Sequence, residues 1–272
     1  TTLFRSPDSL YLAAIAIGGI VFNFMYAGLN FLRMGTTGIV AQKFGENNFE
    51  EVFFSLLRPT LIAVSVGFIL YLNRNYIYDL SVYFLTPDQQ LLALYKEYLF
   101  IRMIGLPAGL LNIVFLGWFF GMQKTKSVML QLVIINLMNV IASLYLAVYL
   151  EYGIFGVALG SVLAQISGLF LSIIIFFNHF KTLNFISFEL KKIINLNGFL
   201  NLFSISKNLF VRTMLLVSVQ AYLIKKSGLI GVDQLATMEI LIVIFGLSSY
   251  TLDVFAHAAE STVGVSIGSK NK

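Results

Sequence analysis

Cysteine is absent from the 272 residues, which excludes disulfides and thiolate metal sites and leaves no trace of the compartment's redox state. Charge is nearly as scarce: 18 Lys and Arg and 13 Asp and Glu amount to 11% of the chain. A soluble protein of this length needs a charged surface that so few residues cannot supply. Histidine occurs twice, at His179 in a connector and at His257 in an apolar segment, and HExxH is missing. His257 and Glu260, at i and i+3, could offer two metal ligands, but nothing completes the set, so an intramembrane enzyme is disfavoured. The N-terminal "TTLFRSPDS" has no basic region ahead of a short apolar core and cleavage site, so it does not read as a signal peptide. It also has no initiator Met, so an upstream start is expected.

What is present is apolar. Hydrophobic residues make up 58% of the chain and the mean hydropathy is +0.86, which indicates a membrane protein clothed by lipid. The net charge of +5 does not point to nucleic acid, because the basic residues are scattered over short loops instead of forming a patch with aromatics. A spanning helix needs about 20 apolar residues. By that measure spans are expected near 10–32, 56–72, 98–120, 128–149, 153–177, 206–224 and 235–258. The fold class is therefore all-α, a polytopic membrane helical bundle of about seven transmembrane helices. The only long connector, 179–198, contains "FISFELKKIINL", which reads as an amphipathic piece on the membrane surface between two bundles. This divides the chain into 1–178, a linker 179–205, and 206–272.

Loop charge gives the orientation. If the connectors 41–51, 121–127 and 179–198 and the tail 269–272 share a side, it holds Lys43, Lys124, Lys126, Lys181, Lys191, Lys192, Lys270 and Lys272. The opposite side has chiefly Arg5, Arg74, Lys225 and Lys226, so the first is cytoplasmic. An internal echo supports the same arrangement. Residues 12–48 align without gaps within 235–272 at an offset of 223, matching Leu12 to Leu235, Ile17 to Ile240, Gly45 to Gly268 and Asn48 to Asn271. Both copies then leave the membrane on one side, as a parallel repeat about an axis along the membrane normal requires.

The stretches "FLRMGTTGIVAQKFGENN", "IRMIGLPAGLLNIVFLGWFFGMQKTKS", "INLMNVIASLYLAVYLEYGIFGVALGSVLAQ" and "YTLDVFAHAAESTVGVSIGSKN" together resemble the multidrug and toxic compound extrusion family, closest to its DNA-damage-inducible protein F branch. The resemblance is collinear over essentially the whole chain. It implies part of a two-lobe, pseudo-symmetric twelve-helix transporter fold, with helices two to eight represented here. It also implies export of amphiphilic or cationic compounds in exchange for protons or sodium ions, without a cofactor. Relatives carry an asparagine on the fifth helix with an aspartate four residues later; here the pair is Asn139 and Ser143, so the acid is missing. The hydroxyl of their sixth helix corresponds to Ser161, and Asp253 and Glu260 match the eighth-helix pattern of the branch.

Charges within a span cost about 2.5–3.5 kcal/mol at the helix centre and normally face protein or a water-filled cavity. Asp253, His257 and Glu260 share one helical face at i, i+4 and i+7. Asp253, deepest in the apolar run, is expected to face a cavity. Glu260 fits a cavity role or an interfacial ion pair, and His257 a proton relay or a bond to a backbone carbonyl. Arg33 and Arg102 could neutralise the acids or snorkel, with structural pairing favoured for Arg102. Pro107 in "GLPAG" is expected to kink its helix and act as a hinge. The expected mechanism is alternating access in the cell membrane by a monomer, with Phe, Tyr and Met holding small amphiphilic cations loosely. The alternatives are an inactive truncated remnant and, more distantly, a lipid-linked oligosaccharide flippase, which would line its cavity with basic residues.

Overall fold

A computed structural model describes residues 7–85, 88–180, 196–230 and 232–270, and the regular elements among them are helices. Lipid offers the backbone no hydrogen-bond partners, and the α-helix satisfies its polar groups within a single segment. In chain order the helices are α1 (Pro7–Leu29), α2 (Phe31–Gly45), α3 (Phe49–Leu72), α4 (Arg74–Leu85), α5 (Leu92–Ile104) entered by a 3-10 turn at Gln89–Leu91, α6 (Leu106–Gly121), α7 (Thr125–Leu144) closing in a π turn at Tyr145–Tyr149, α8 (Gly153–Phe180), α9 (Leu196–Ile230) and α10 (Val232–Gly268).

Among the described residues, Leu10–Gly45, Phe49–Leu72, Thr125–Tyr149, Gly153–His179 and Ile240–Gly268 are long and apolar enough to cross a membrane. The pair Gln89–Ile104 and Leu106–Gly121, bent by 50°, makes a sixth if it is one span. The remaining expected span, 206–224, lies in α9, whose 35 residues suffice in length but whose apolar run is diluted by Lys207, Arg212, Lys225 and Lys226. The surface piece expected at 185–196 lies outside the described residues up to Leu196, where α9 begins. Helix α4 occupies a stretch without an expected span, since Arg74, Asn75 and Asp79 interrupt its apolar residues.

The first helical rod runs further than its hydropathy indicates. Only the turn at Asn30 interrupts α1 and α2, so Arg33 lies inside the rod, well before its end at Gly45. The connector to α3 shrinks to 46–48, and the Asn48 side chain accepts the Glu51 N–H at 3.1 Å as an N-cap. Glu50 and Glu51 in the first turn of α3 complement its dipole. Glu51 also accepts from Arg58 at 2.9 Å, which pairs a buried guanidinium two turns further along the same helix.

The core is built by α1, α2, α3, α5, α6 and α8, with Val128 from the start of α7 and α4 packed against it. Phe22, Leu32, Tyr95, Leu99, Met103, Leu106, Leu110 and Trp118 are fully buried in it, and the Trp118 indole N–H donates to the Val52 carbonyl at 2.9 Å. By contrast α10 leaves large apolar side chains uncovered on several faces, among them Leu241, Phe245, Leu252 and Phe255. The described part of α10 meets α2 and α9 and, more lightly, α6.

The α2–α10 contact follows the sequence repeat residue by residue. A Cβ at Gly45 would collide with the Val265 carbonyl oxygen, and a Cβ at Gly268 with the Gln42 carbonyl oxygen. These two contacts interchange under the offset of 223. A Cβ at Gly264 would press on the Ala41 methyl, and those two residues are equivalent to each other. The reciprocal pattern is that of a local two-fold axis lying between the helices. Small residues spaced by four, Ala41 and Gly45 against Gly264 and Gly268, let the two backbones meet. Both helices end in the same turn, with Asn47 and Lys270 at φ 56°. Gln123 closes α6 in a similar turn at φ 59°, so the pairing of contacts, not the turn, carries the repeat.

Candidate functional site

The polar residues anticipated within the spans fall into two groups on different helix pairs. Asn139 and Ser143 on α7 face Ser161 on α8. The Asn139 amide donates to the Ser161 hydroxyl at 3.0 Å, and that hydroxyl donates to the Val157 carbonyl at 3.2 Å. Ser143 lies against Gly160, its hydroxyl 3.5 Å from the same Val157 carbonyl. Glycine at 160 lets α7 come close enough for this, because a Cβ there would strike Ser143. The cluster offers amide and hydroxyl groups without a carboxylate. It can orient a polar guest, but it has no charge of its own with which to hold a cation.

The second group spans α2, α6 and α10. Arg33 Nε donates to the Asn30 side-chain oxygen at 3.1 Å, and its Nη1 lies 3.2 Å from His257 Nδ1. A guanidinium has only donors, so in this contact Nδ1 accepts and the imidazole proton resides on Nε2. The ring of Phe120 completes the pocket, 5.3 Å from the imidazole centroid and 6.0 Å below the guanidinium carbon. Glu260 Oε2 stands 4.0 Å from His257 Nδ1. One residue further on, Ser261 is buried and donates to the Phe120 carbonyl at 2.7 Å, which fixes α10 on α6 at this level. Asp253 lies one turn before His257, exposed, and among the described residues it has no hydrogen-bond partner. Its carboxylate and that of Glu260 lie within electrostatic range of Arg33. Among the described residues no three His, Asp or Glu side chains gather as a metal ion would require.

Arg102 does not join the acids. It sits on α5 over the Phe22 ring at 4.2 Å and donates to the Tyr98 hydroxyl at 2.9 Å, so aromatic faces hold the cation within the first bundle. Pro107 stands in the first turn of α6, where a missing N–H costs no bond, just after the break between Ile104 and Leu106. The 50° bend is thus present at the proline, packed against Gly67 of α3. Sequence reasoning does not single out Asn30, Phe120 or Ser261. Asn30 carries a signal, being the offset equivalent of Asp253; a lone Phe or Ser in an apolar run carries none.

A buried amide network is also invisible in the sequence. The Asn112 amide donates to the side-chain and backbone oxygens of Gln165 at 2.9 and 2.8 Å, and Gln131 donates to the Asn112 side-chain and backbone oxygens, both at 3.1 Å. It ties α6, α7 and α8 together.

The MatE family model matches residues 3–145, more than half of the chain. DNA damage-inducible protein F of Escherichia coli (strain K12) is 29% identical over 262 residues, covering 96% of this chain and 57% of its own length. Protein DETOXIFICATION 43 of Arabidopsis thaliana is 26% identical over 195 residues, 71% of this chain and 35% of the relative. The match thus spans little more than half of the first relative and about a third of the second. A solved MATE structure in complex with MaD5 superposes with a TM-score of 0.82 at 19% identity, over 98% of this chain and 60% of that one. An outward-facing multidrug resistance MATE transporter of the MOP superfamily gives 0.79 at 17% identity, over 98% and 58%.

Proposed function

This chain belongs to the MatE family, whose solved members are membrane transporters and not enzymes, and from that premise we propose that it forms part of a secondary multidrug antiporter. The full protein exports small amphiphilic or cationic compounds across a bacterial cell membrane in exchange for protons or sodium ions, as a monomer. The observation that carries this reading is the placement of Asp253 and Glu260 on α10, the helix that meets α2 across the repeat axis. A carboxylate between two rocking halves attracts either a coupling ion or a cationic substrate, and their competition links the two movements.

The contact pattern supports alternating access. The α2–α10 seam joins the two repeats at their Gly45 and Gly268 ends, which the loop charges assign to the cytoplasm. The halves then part toward the opposite side, where α10 is uncovered. Ser143 in place of the acid leaves the Asn139 cluster uncharged, so coupling falls to α10.

The test is Asp253→Asn in cells carrying the full-length protein, followed by efflux of a cationic dye at several external pH values. A drop of about tenfold or more in efflux, with a flattened pH profile, is expected, in line with losing one interaction worth about 1.4 kcal/mol or more. Unchanged efflux with an unchanged pH profile removes Asp253 from the coupling site.

A further inference from the structure

Across a seam that otherwise obeys the repeat, one polar contact breaks it. Applying the offset of 223 to Arg33 and His257 gives Ala256 and Met34, which cannot form the bond. The symmetric part of the seam, from Ala41 to Gly45 and Gly264 to Gly268, has small side chains at its points of contact and so can roll without breaking a hydrogen bond. The asymmetric part of the α2–α10 contact is a charge-assisted bond from Arg33 Nη1 to His257 Nδ1 at 3.2 Å, set beside the neutral bond by which Ser261 holds α10 on the Phe120 carbonyl of α6.

We infer that His257 is a proton-binding site that latches the two repeats together through Arg33 and releases them when it is protonated. This rests on the antiporter reading for its use in transport, but the latch itself is a property of the contact. The bond requires a free lone pair on Nδ1, because the guanidinium can only donate. A proton added at Nδ1 takes that lone pair and makes the imidazole a cation. Two like charges then face each other across the seam, while Glu260 Oε2, 4.0 Å from the same nitrogen, becomes its acceptor within α10. The proton thus exchanges a bond between helices for an ion pair within one helix, and the Arg33 contact is lost.

The charged surroundings of the ring are few. On its own helix they are Asp253 and Glu260, and on α2 Arg33, itself held by neutral Asn30. Helix α6 contributes the Phe120 ring, which carries no charge. Among the described residues no hydrogen bond or ion pair joins a charged side chain of α9 to His257. The guanidinium remains anchored by Asn30 and by the Phe120 face after release, so the latch can close again.

This stretch contains no cysteine, so a pair of spin labels can be placed in it, at Lys126→Cys beyond α6 and Ser266→Cys on α10, both exposed and clear of the bond. The experiment uses the full-length transporter in lipid nanodiscs and measures the label-to-label distance distribution between pH 8 and pH 5. A narrow distribution at pH 8 that widens on acidification is expected. His257→Gln offers an accepting oxygen that does not titrate, and should remain narrow at both pH values. Arg33→Gln should be wide at both. Glu260→Gln keeps the bond at pH 8 but lacks the charged second acceptor, so its widening should shift to lower pH. A His257→Gln protein that widens like the parent overturns the proposal, as does a parent that does not respond to pH. Dye transport driven by a pH gradient is read on the same variants reconstituted in sealed lipid vesicles. Absence of transport in the parent with a pH-dependent, His257-dependent distance would sink the antiporter reading and leave the latch standing.

Discussion

At the scale of single residues, the polar groups of this chain are distinguished less by their type than by what each has been given to bond. Asn112 and Gln131 are 2% and 0% exposed, yet the Gln131 amide nitrogen donates to Asn112 and the Asn112 amide to Gln165, with the Gln131 side-chain oxygen left unpaired among the described residues. Asn112→Leu removes one member, takes the donor from the Gln165 side-chain oxygen and leaves Gln131 only its bond to the backbone carbonyl of residue 112. Each buried group left unpaired costs about 1–3 kcal/mol. The substitution should lower the melting temperature of the full-length protein in detergent by several degrees, whereas the double change with Gln131→Leu should recover part of the loss. Equal melting of the single variant and the parent would show that the network contributes nothing. The same reasoning separates Arg33 from Arg102. Both are cations within apolar helices, but Arg102 rests on the rings of Phe22 and Tyr98 inside one bundle, while Arg33 bonds across to another helix.

At the scale of elements, the seam between α2 and α10 depends on the absence of side chains. Gly45 and Gly268 are equivalent, and each has the other helix's carbonyl oxygen where a Cβ would go. Gly45→Ala and Gly268→Ala should therefore weaken the contact to a similar degree, by about 1–3 kcal/mol each, as overpacking of a close contact does. Disulfide trapping in the double variant Ala41→Cys with Gly264→Cys reports the contact directly. Trapping should fall by comparable factors when either alanine is added to that background. A loss with only one of them would mean that the two halves do not share the axis. The bend at Pro107 is of another kind: the proline occupies a helix start, where it removes no hydrogen bond, and the two pieces differ in direction by 50°.

At the scale of the whole molecule, the uneven burial separates two regions. The first bundle has a continuous core around Trp118 and Tyr95, while α10 presents Leu252 and Phe255 uncovered, 69% and 71% exposed. Apolar surface of this kind is at ease against lipid or further helices, and not against water. The loop charges give the orientation of the assembly. Single cysteines replacing Lys43, Lys126 or Lys270 should react with a membrane-impermeant thiol reagent only in inverted vesicles, and one replacing Asn75 only in right-side-out vesicles. The reverse pattern would turn the assigned topology over and place the seam on the outer side.

Several features were legible in the chain alone for plain physical reasons. A membrane solvent demands long apolar runs, so composition and hydropathy determined that the protein is a helical bundle in lipid, with most spans near their observed places. Repetition survives in sequence because equivalent helices meet equivalent surroundings, and the offset of 223 is the one the seam obeys. The line Asp253, His257, Glu260 followed from helical spacing. Hydropathy cannot register what lies across from a residue. It missed α4, the continuation of α2 to Gly45 and the start of α9 at Leu196, because polar residues there dilute the apolar signal. Only the tertiary structure decided that Arg33 belongs with His257 and Glu260 and Arg102 does not, and that Asn112, Gln131 and Gln165 form one network. Those pairings join residues up to 224 positions apart, and a hydrogen bond depends on a few tenths of an ångström in space, which no spacing along the chain encodes.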